Sequence, residues 1–172
     1  TAADGEVVSV IASGRDITKR NEQKQELERK QNFLEQTQEV ADVGGWEVDL
    51  RIDSLRWTEE VYRIHGLDSD FEPAVEGAID LYHSEDQTMI QDAVEKATTE
   101  GEPYDKEARV VRPDGEVRWV RARGDPWYEN GEIVGIRGTF QDITKRRERE
   151  AQLRESNERL EQFAYVASHD LQ

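Results

Sequence analysis

The chain of 172 residues contains no cysteine, which excludes disulfides, thiolate metal sites and any catalysis or photochemistry that needs a thiol. No apolar run approaches the roughly 20 residues that a membrane span requires, and no signal peptide is visible. We therefore expect a cytoplasmic segment without membrane contact. The chain also has no initiator methionine, and we expect it to be an excerpt of a longer protein.

The chain also has fewer basic than acidic residues, 23 against 39. The formal net charge is −16, and the 23 basic residues are 17 arginines and 6 lysines. Such a surface repels nucleic acid and anionic membranes, so neither is an expected partner. The excess of carboxylates predicts a halophilic protein, in which a salt-rich cytoplasm screens their mutual repulsion. A solvated, self-repelling surface without that adaptation is the alternative.

One segment occurs twice. Residues 4–20 and residues 130–146 align without a gap, and Asp16 then pairs with Asp142. Each copy contains a turn, an apolar run, the triplet Asp-Ile-Thr and a charged stretch. Because copies this far apart indicate a domain rather than a solenoid unit, we predict that residues 1–16 are the last strand of a preceding domain.

The remaining pattern predicts an α+β fold. Asp16 is a plausible cap for a charged helix over residues 17–39. Period-two alternation and strong turn dipeptides predict strands, and apolar residues at helical spacing predict two helices. Residues 67–84 carry no regular pattern. The predicted strands lie near 41–50, 55–57, 105–112, 116–124 and 132–141, and the predicted helices near 59–64 and 85–100.

Residues 40–145 resemble a PAS domain of the subtype with a C-terminal PAC motif (PAS-3-like). The resemblance rests on a set of motifs in order: Gly45-Trp46-Glu47, Trp57-Thr58, His83-Ser-Glu-Asp86, Arg112-Pro-Asp-Gly115, Arg118-Trp-Val120 and Gly138-Thr-Phe-Gln-Asp-Ile-Thr144. It implies a five-stranded antiparallel sheet with helices on one face and a small-molecule pocket between them. Coiled-coil-like helices are expected on both sides. The expected divisions are 1–16, 17–40, 41–144 and 145–172.

The segment Phe163–Gln172 resembles the phospho-acceptor box of a sensor histidine kinase, a phosphoprotein of a two-component system. The resemblance implies that His169 is the phosphorylated nucleophile and that Asp170 assists as an acid or base. It also implies an ATP-binding kinase domain in the parent chain and a response-regulator receiver domain as partner. Because residues 1–172 contain no Gly-rich nucleotide site or Mg²⁺ ligand set, we expect this segment to be catalytically inert.

The helix that would carry His169 has a suitable pattern. At 100° per residue, an apolar stripe forms on one side and His169 falls on the opposite side. The stripe comprises Leu153, Leu160, Phe163, Ala164, Ala167 and Leu171. This spacing predicts a homodimer through the flanking helices, with His169 facing outward. Leu27 and Leu34 repeat the pattern weakly in the first helix.

The triplet Asp142, Ile143 and Thr144 stands where the last predicted strand becomes the output helix. Asp142 as N-cap would satisfy free amides and favour the helix dipole. The resemblance further implies that this triplet transmits signals from the pocket to the helix. The two interpretations, cap and signal lever, stay open at this stage.

The sequence does not assign a ligand. No cofactor is evident, although haem and non-covalent flavin stay open. We expect His83 to be a structural cap rather than a haem ligand, and His65 to favour the dipole of the helix it ends. Ion pairing is expected for the arginines and packing for the tryptophans: Arg109, Arg112, Arg118, Arg121, Arg123, Trp46, Trp57, Trp119 and Trp127.

Three functions compete. The first is a signal-transducing segment that ends in the phospho-acceptor helix. The second is a protein-interaction and dimerisation module of a transducer that senses no ligand. The third is a haem or flavin redox sensor.

Overall fold

The computed structural model describes the backbone of residues 2–171 and the side chains of residues 14–171. It divides into two compact units, residues 1–40 and residues 41–172, which are described separately. The first unit contains one helix, α1 (Ala2–Val40). The strand predicted over residues 1–15 is therefore wrong for residues 2–15, and Thr1 lies outside the described residues. A strand without a sheet leaves its backbone groups unpaired, whereas a helix pairs them internally.

The second unit is built on one antiparallel sheet of five strands, in the order β2-β1-β5-β4-β3. The α+β prediction is confirmed. The strands are β1 (Val43–Asp49), β2 (Ser54–Trp57), β3 (Tyr104–Val111), β4 (Val117–Glu129) and β5 (Glu132–Asp142). The helices are α2 (Glu59–His65), α3 (Val75–Asp80), α4 (Gln87–Thr99) and α5 (Thr144–Asp170).

Turn residues set the connections that the sequence predicted. Asn130 and Gly131 both have positive φ, 50° and 80°, as a two-residue hairpin between β4 and β5 requires. Gly66 ends α2 with a φ of 69°, and its amide bonds to the carbonyl oxygens of Arg63 and Tyr62. Both turns fix the direction in which the next element leaves.

The sheet has an inner face, which helices cover, and an outer face. Alternate residues of each strand point inward, among them the fully buried Val110, Val120 and Ile136. Val61 and Ile64 of α2 join Val110, Val120, Ala122 and Phe140 in one apolar cluster. A second cluster groups Val48, Ala97 and Ile136. The core thus lies between the inner face and the helices.

Within the second unit, two elements differ from the sequence-based expectation. The six-residue helix α3 lies inside residues 67–84, which showed no regular pattern because so short a helix with no fully buried residue gives no periodic signal. Strand β4 runs to Glu129, past the predicted end at residue 124, and its register shifts between Trp127 and Tyr128. Gly124 and Pro126 obscured that extension. Within residues 2–171, no helix has the length and hydropathy of a membrane span.

Candidate functional site

An apolar cavity lies between the inner face of the sheet and helices α2, α3 and α4. Its volume is about 70 Å³. Aliphatic side chains from both sides form most of its wall, and six ring-bearing residues complete it: Trp46, Trp57, His65, Tyr82, Tyr104 and Phe140. The lining contains no lysine, arginine, aspartate or glutamate. A charged molecule would lose its hydration here without gaining a counter-ion.

His65 ends α2 inside this wall, and only 4% of its surface is exposed. Its ring stacks between Trp57 and Phe140, at centroid distances of 4.8 and 4.9 Å. Burial, together with the positive charge of Arg112, lowers the pKa of His65 from 6.5 to about 4. The imidazole is therefore neutral at pH 7. The predicted role of His65 as a helix-dipole partner requires the charged form and is wrong for this structure.

Two tyrosines supply the hydroxyl groups of the wall. Burial raises the pKa of both Tyr82 and Tyr104, so both hydroxyls stay protonated. Tyr104 stacks on Trp46 at 6.3 Å between ring centroids, and Tyr82 meets Phe140 edge-on. The cavity wall thus contains neutral polar groups from His65 and the two tyrosines, beside the indole N–H groups of Trp46 and Trp57, in an apolar surround.

The predicted joint, Asp142-Ile143-Thr144, connects β5 to α5. The N-cap of α5 is Ile143, so the prediction that Asp142 holds this position is wrong by one residue. The Asp142 carboxylate nonetheless accepts the Thr144 amide at 2.9 Å and lies 3.6 Å from the Arg118 guanidinium. It therefore still satisfies one free amide of the first helical turn.

Trp119 of β4 holds the other two joint residues. Its backbone carbonyl accepts the Ile143 amide at 2.8 Å, and its backbone amide donates to Thr144 Oγ1 at 2.9 Å. Ile143 itself is 2% exposed. The joint is therefore fixed to β4 by backbone hydrogen bonds as well as to β5 by the chain.

A second set of contacts joins α5 to the outer face. The guanidinium of Arg147 lies 3.5 Å from the Trp119 ring centroid, and Arg109 lies 5.4 Å from it. Glu107 of β3 binds both Arg146 and Arg147, and their hydrogen bonds lower the pKa of Glu107. The first turns of α5 are thus clamped to β3 and β4.

Arg109 links this clamp to α4. Its guanidinium donates to both carboxylate oxygens of Asp86, at 2.8 and 2.9 Å, and Asp86 immediately precedes α4. Hydrogen bonding to Arg109 lowers the pKa of Asp86. A run of contacts therefore leads from the start of α4, which lines the cavity, through Arg109 and Trp119 to Arg147 of α5.

The prediction that the arginines pair with carboxylates is confirmed. Arg121 makes a two-point contact with Asp105 of the neighbouring strand, at 2.7 and 2.6 Å, and Arg123 lies 3.2 Å from the same carboxylate. Arg112 and Arg118 both bind Glu116, at 3.3 and 2.7 Å. These side chains have carboxylate partners already and leave no row of free cations for an anionic ligand.

The tryptophans divide between the two faces, as the packing interpretation expected. Trp46 and Trp57 line the cavity, whereas Trp119 and Trp127 lie on the outer face beside arginines. His83 accepts the Glu85 amide at Nδ1, at 3.2 Å, in the turn before α4, but the N-cap of α4 is Asp86, so the predicted cap position of His83 is wrong. Its ring is absent from the cavity wall.

His169 and Asp170 lie in the last turn of α5, about 26 residues after the joint. Both side chains are exposed, and the Tyr165 ring stands 6.2 Å from His169. The apolar side chains of the predicted stripe are exposed too: Leu153, Leu160, Phe163 and Leu171. Gln172, the end of the predicted box, lies outside the described residues.

Sequence reasoning located the joint but missed what holds it. Glu107, Trp119 and Arg147 lie in three separate elements, and no spacing in the sequence brings them together. The sequence predicted a helix over residues 59–64, yet it did not show that His65 would be buried together with Val61 and Ile64. In the described part of the chain, no group of three or more potential metal-ligating side chains was found.

Comparison with known proteins gives matches of two kinds. The family model described as PAS fold matches residues 54–140, half of the chain. The blue-light-activated histidine kinase of Brucella ovis is 29% identical over 160 residues, which are 87% of this chain and 32% of that protein. The protein of the same description from Brucella anthropi is 32% identical over 127 residues, 73% of this chain and 25% of that protein.

The chain therefore spans about a third or less of the length of these curated relatives. Among solved structures, a sensory box histidine kinase/response regulator from Burkholderia thailandensis matches with a TM-score of 0.58 and 24% identity. The match covers 75% of this chain and 98% of that one. At that identity the likeness is one of fold.

Proposed function

The chain belongs to the PAS-fold family, and on that premise we propose that it is a sensory signal-transduction segment of a two-component histidine kinase. Relatives described as histidine kinases support this role. In this proposal the cavity side of the sheet responds to a stimulus, and the joint passes the response to α5 and to phospho-acceptor His169.

The observation that carries the proposal is the dual attachment of α5. The joint continues β5, whose inner face lines the cavity, and it is hydrogen-bonded to Trp119 of β4. A displacement of either strand would therefore change the angle at which α5 leaves the sheet. Because a helix rises 1.5 Å per residue, the roughly 26 residues to His169 would enlarge a small change of angle.

The contacts from α4 to Arg147 offer a second route. A shift of α4 would move Asp86 and its partner Arg109, and Arg109 shares the Trp119 ring with Arg147. Stimulus at the cavity would thus reach the base of α5 through both faces of the sheet. Coupling needs an element with two arrangements, and we assign that role to the first turns of α5.

At the far end of α5, we propose that an imidazole nitrogen of His169 attacks the γ-phosphoryl group of ATP. A nitrogen–phosphorus bond forms while the bond from that phosphorus to the departing ADP oxygen breaks. Asp170 would orient the ring or take its proton. The ATP-binding kinase domain of the parent chain supplies the nucleotide, and a response-regulator receiver domain accepts the phosphoryl group from His169.

Phosphorylation of the intact parent kinase tests this assignment. With labelled ATP, His169→Gln should abolish acid-labile labelling, whereas His83→Gln should retain it, because His83 lies in the turn before α4 and outside α5. Asp170→Asn should slow labelling without shifting its site. Undiminished labelling of the His169→Gln kinase would contradict the proposal.

Asp142→Ala separates a lever from a simple cap. It removes the bond to the Thr144 amide and the pairing with Arg118. We expect the variant kinase to lose much of its response to stimulus while it keeps basal autophosphorylation. A variant that lowers helix stability but leaves stimulus control unchanged would leave Asp142 with a capping role alone.

The exposed stripe of α5 supports a homodimer of the segment. Leu153 and Leu160 are 65% and 63% exposed and lie seven residues apart, as in a coiled-coil seam. Sedimentation of the chain against a Leu153→Glu/Leu160→Glu variant tests this. The same stripe favours the second candidate function, an interaction module without sensing, which predicts dimerisation but no phosphorylation of His169.

The blue-light description of the Brucella relatives raises a flavin chromophore, and haem was open from the sequence. The cavity does not fit either group. Its volume of about 70 Å³ is below half of the roughly 150 Å³ that holds one benzene ring. Both cofactors would have to displace wall side chains, and the chain has no cysteine to form a flavin adduct. An absorbance spectrum of native protein checks this: a visible band from bound cofactor would contradict it.

A further inference from the structure

The ring of His65 is held so that only its edge is open to the cavity. Trp57 covers one face at an interplanar angle of 10°, and Phe140 covers the other at 17°. His65 is nonetheless part of the cavity wall. Because Nδ1 is inaccessible even to water, a molecule that enters the cavity would meet the imidazole edge at Nε2.

The two nitrogens of that edge are not equivalent. Nδ1 is buried from water and has no hydrogen-bond partner among the described residues. A proton on Nδ1 would be a buried donor without an acceptor, and Arg112 places positive charge near the ring. The less costly tautomer keeps a bare lone pair at Nδ1 and carries its proton on Nε2. His65 is then a neutral hydrogen-bond donor at Nε2.

The rest of the wall restricts what this donor can bind. The other polar groups of the lining residues are the Tyr82 and Tyr104 hydroxyls and the indole N–H groups of Trp46 and Trp57, and the wall carries no formal charge. The indole N–H of Trp46 already donates to the Thr139 carbonyl at 3.3 Å. A volume of about 70 Å³ is a little under half of the roughly 150 Å³ that holds the six carbon atoms of benzene, so the cavity admits only a molecule of a few non-hydrogen atoms. The size and polarity of the cavity together favour a small neutral molecule with one hydrogen-bond acceptor.

We infer that the cavity is a site for a small neutral oxygen-bearing molecule, of the ketone, aldehyde or alcohol class, whose oxygen accepts the Nε2–H of His65. This inference rests on the proposed sensory function, since it names the class of stimulus that the cavity would recognise. Xenon serves as the apolar reference, because it fills space without accepting a hydrogen bond.

Acetone is the probe for the experiment. Long-range ¹H–¹⁵N spectra of the labelled chain first report the tautomer, which should place the proton of His65 on Nε2. Acetone should then shift the His65 Nε2 signal in a saturable way, with Kd on the order of millimolar because so few atoms contribute binding energy. A proton on Nδ1, or an Nε2 signal that acetone leaves unchanged, would overturn the inference.

His65→Phe keeps an aromatic ring between Trp57 and Phe140 but removes the donor. Its affinity for acetone, followed by shifts of neighbouring amides, should fall at least tenfold, while its xenon-induced shifts should match those of the unaltered chain. His83→Phe, which removes an imidazole outside the cavity, should change neither. Equal acetone affinity in the unaltered chain and His65→Phe would overturn the inference.

The tautomer and the acetone shift are measured on the unaltered chain, so the inference can be tested even if His65→Phe fails to fold. Failure of the inference also differs from failure of the proposed function. If acetone binds as described while His169→Gln leaves kinase labelling intact, the ligand site stands and the phospho-acceptor assignment falls. If acetone does not bind as described while His169→Gln abolishes kinase labelling, only the ligand site is contradicted.

Discussion

The inner and outer faces of the sheet are built from the same strands but differ in charge, hydration and connection. The inner face is neutral and aromatic, and it encloses the cavity around His65. The outer face carries carboxylates and arginines in pairs, such as Asp105 with Arg121, and two tryptophans beside arginine side chains. The first turns of α5 are attached to the outer side through Glu107 and Trp119.

Under the proposed function, this difference would separate sensing from transmission. Packing on the inner face is sensitive to volume and to burial of charge, so a small change there has a large energetic effect. Ion pairs on the outer face are solvated and individually weak, so they can rearrange at little cost. Each strand has side chains on both faces, so a change of packing on the inner face can change the contacts on the outer face.

The largest effect is expected where the backbones of β5 and β4 lie closest together. A Cβ at Gly138 of β5 would lie 1.7 Å from the Arg123 carbonyl oxygen, a backbone atom that cannot move alone. Gly138→Ala should lower the free energy of unfolding by at least about 4 kcal/mol, measured by denaturant titration. Gly77→Ala in α3 is the matched control, because nothing lies within 4 Å of its Cβ, and it should be neutral or stabilising. Equal stability of the two variants would show that the sheet accommodates the added methyl.

The next effect is a pH dependence from the inner face. The pKa of His65 is about 4 in the folded chain and 6.5 without burial, so between these values the unfolded chain binds the extra proton. Stability from this group is complete above pH 6.5 and declines as pH falls to 4, by about 3 kcal/mol in total. Urea titrations across that range measure it. His65→Phe should flatten the slope, and an unchanged slope would place the titrating group elsewhere.

A smaller effect is expected at the joint. Thr144→Val preserves shape but removes the hydroxyl that accepts the Trp119 amide and donates to its carbonyl. The loss should be about 1–2 kcal/mol, since one backbone amide is left without its partner. Hydrogen exchange should show faster opening of the first turn of α5. Thr99→Val, on the exposed side of α4, should change stability by less than about 0.5 kcal/mol and serves as control. Similar losses in both would mean that the joint is not specially held.

The smallest effect belongs to an outer-face ion pair. Asp105→Asn should cost at most about 1 kcal/mol at low ionic strength, because the pair with Arg121 is solvent-exposed. The cost should vanish in about 2 M KCl, where charges are screened within a few ångströms.

The melting temperature of the unaltered chain should rise over the same KCl series, since its net charge is −16. A fold that is fully stable at low salt would contradict the predicted halophilic adaptation.

The strands, the two larger helices of the core and the joint were predictable because each has a local signal. Trp46, Val48 and Leu50 alternate with acidic residues, and Asn130-Gly131 is a strong hairpin dipeptide. The clamp around Trp119 was not predictable, because its cation–π and ion-pair partners come from β3, β4 and α5. The neutral state of His65 was equally hidden, since its pKa depends on burial by residues distant in sequence.

The repeated segment shows most directly which features the sequence determined and which the tertiary structure decided. Sequence alone determined that residues 4–20 and 130–146 are copies with the same triplet, and that the second copy, flanked by strong strand signals, ends a sheet. Tertiary structure decided the conformation. The second copy lies between β1 and β4 and forms β5, whereas residues 4–20 are part of helix α1. The physical reason is that a strand obtains its hydrogen bonds from neighbouring strands, and a helix obtains them from itself.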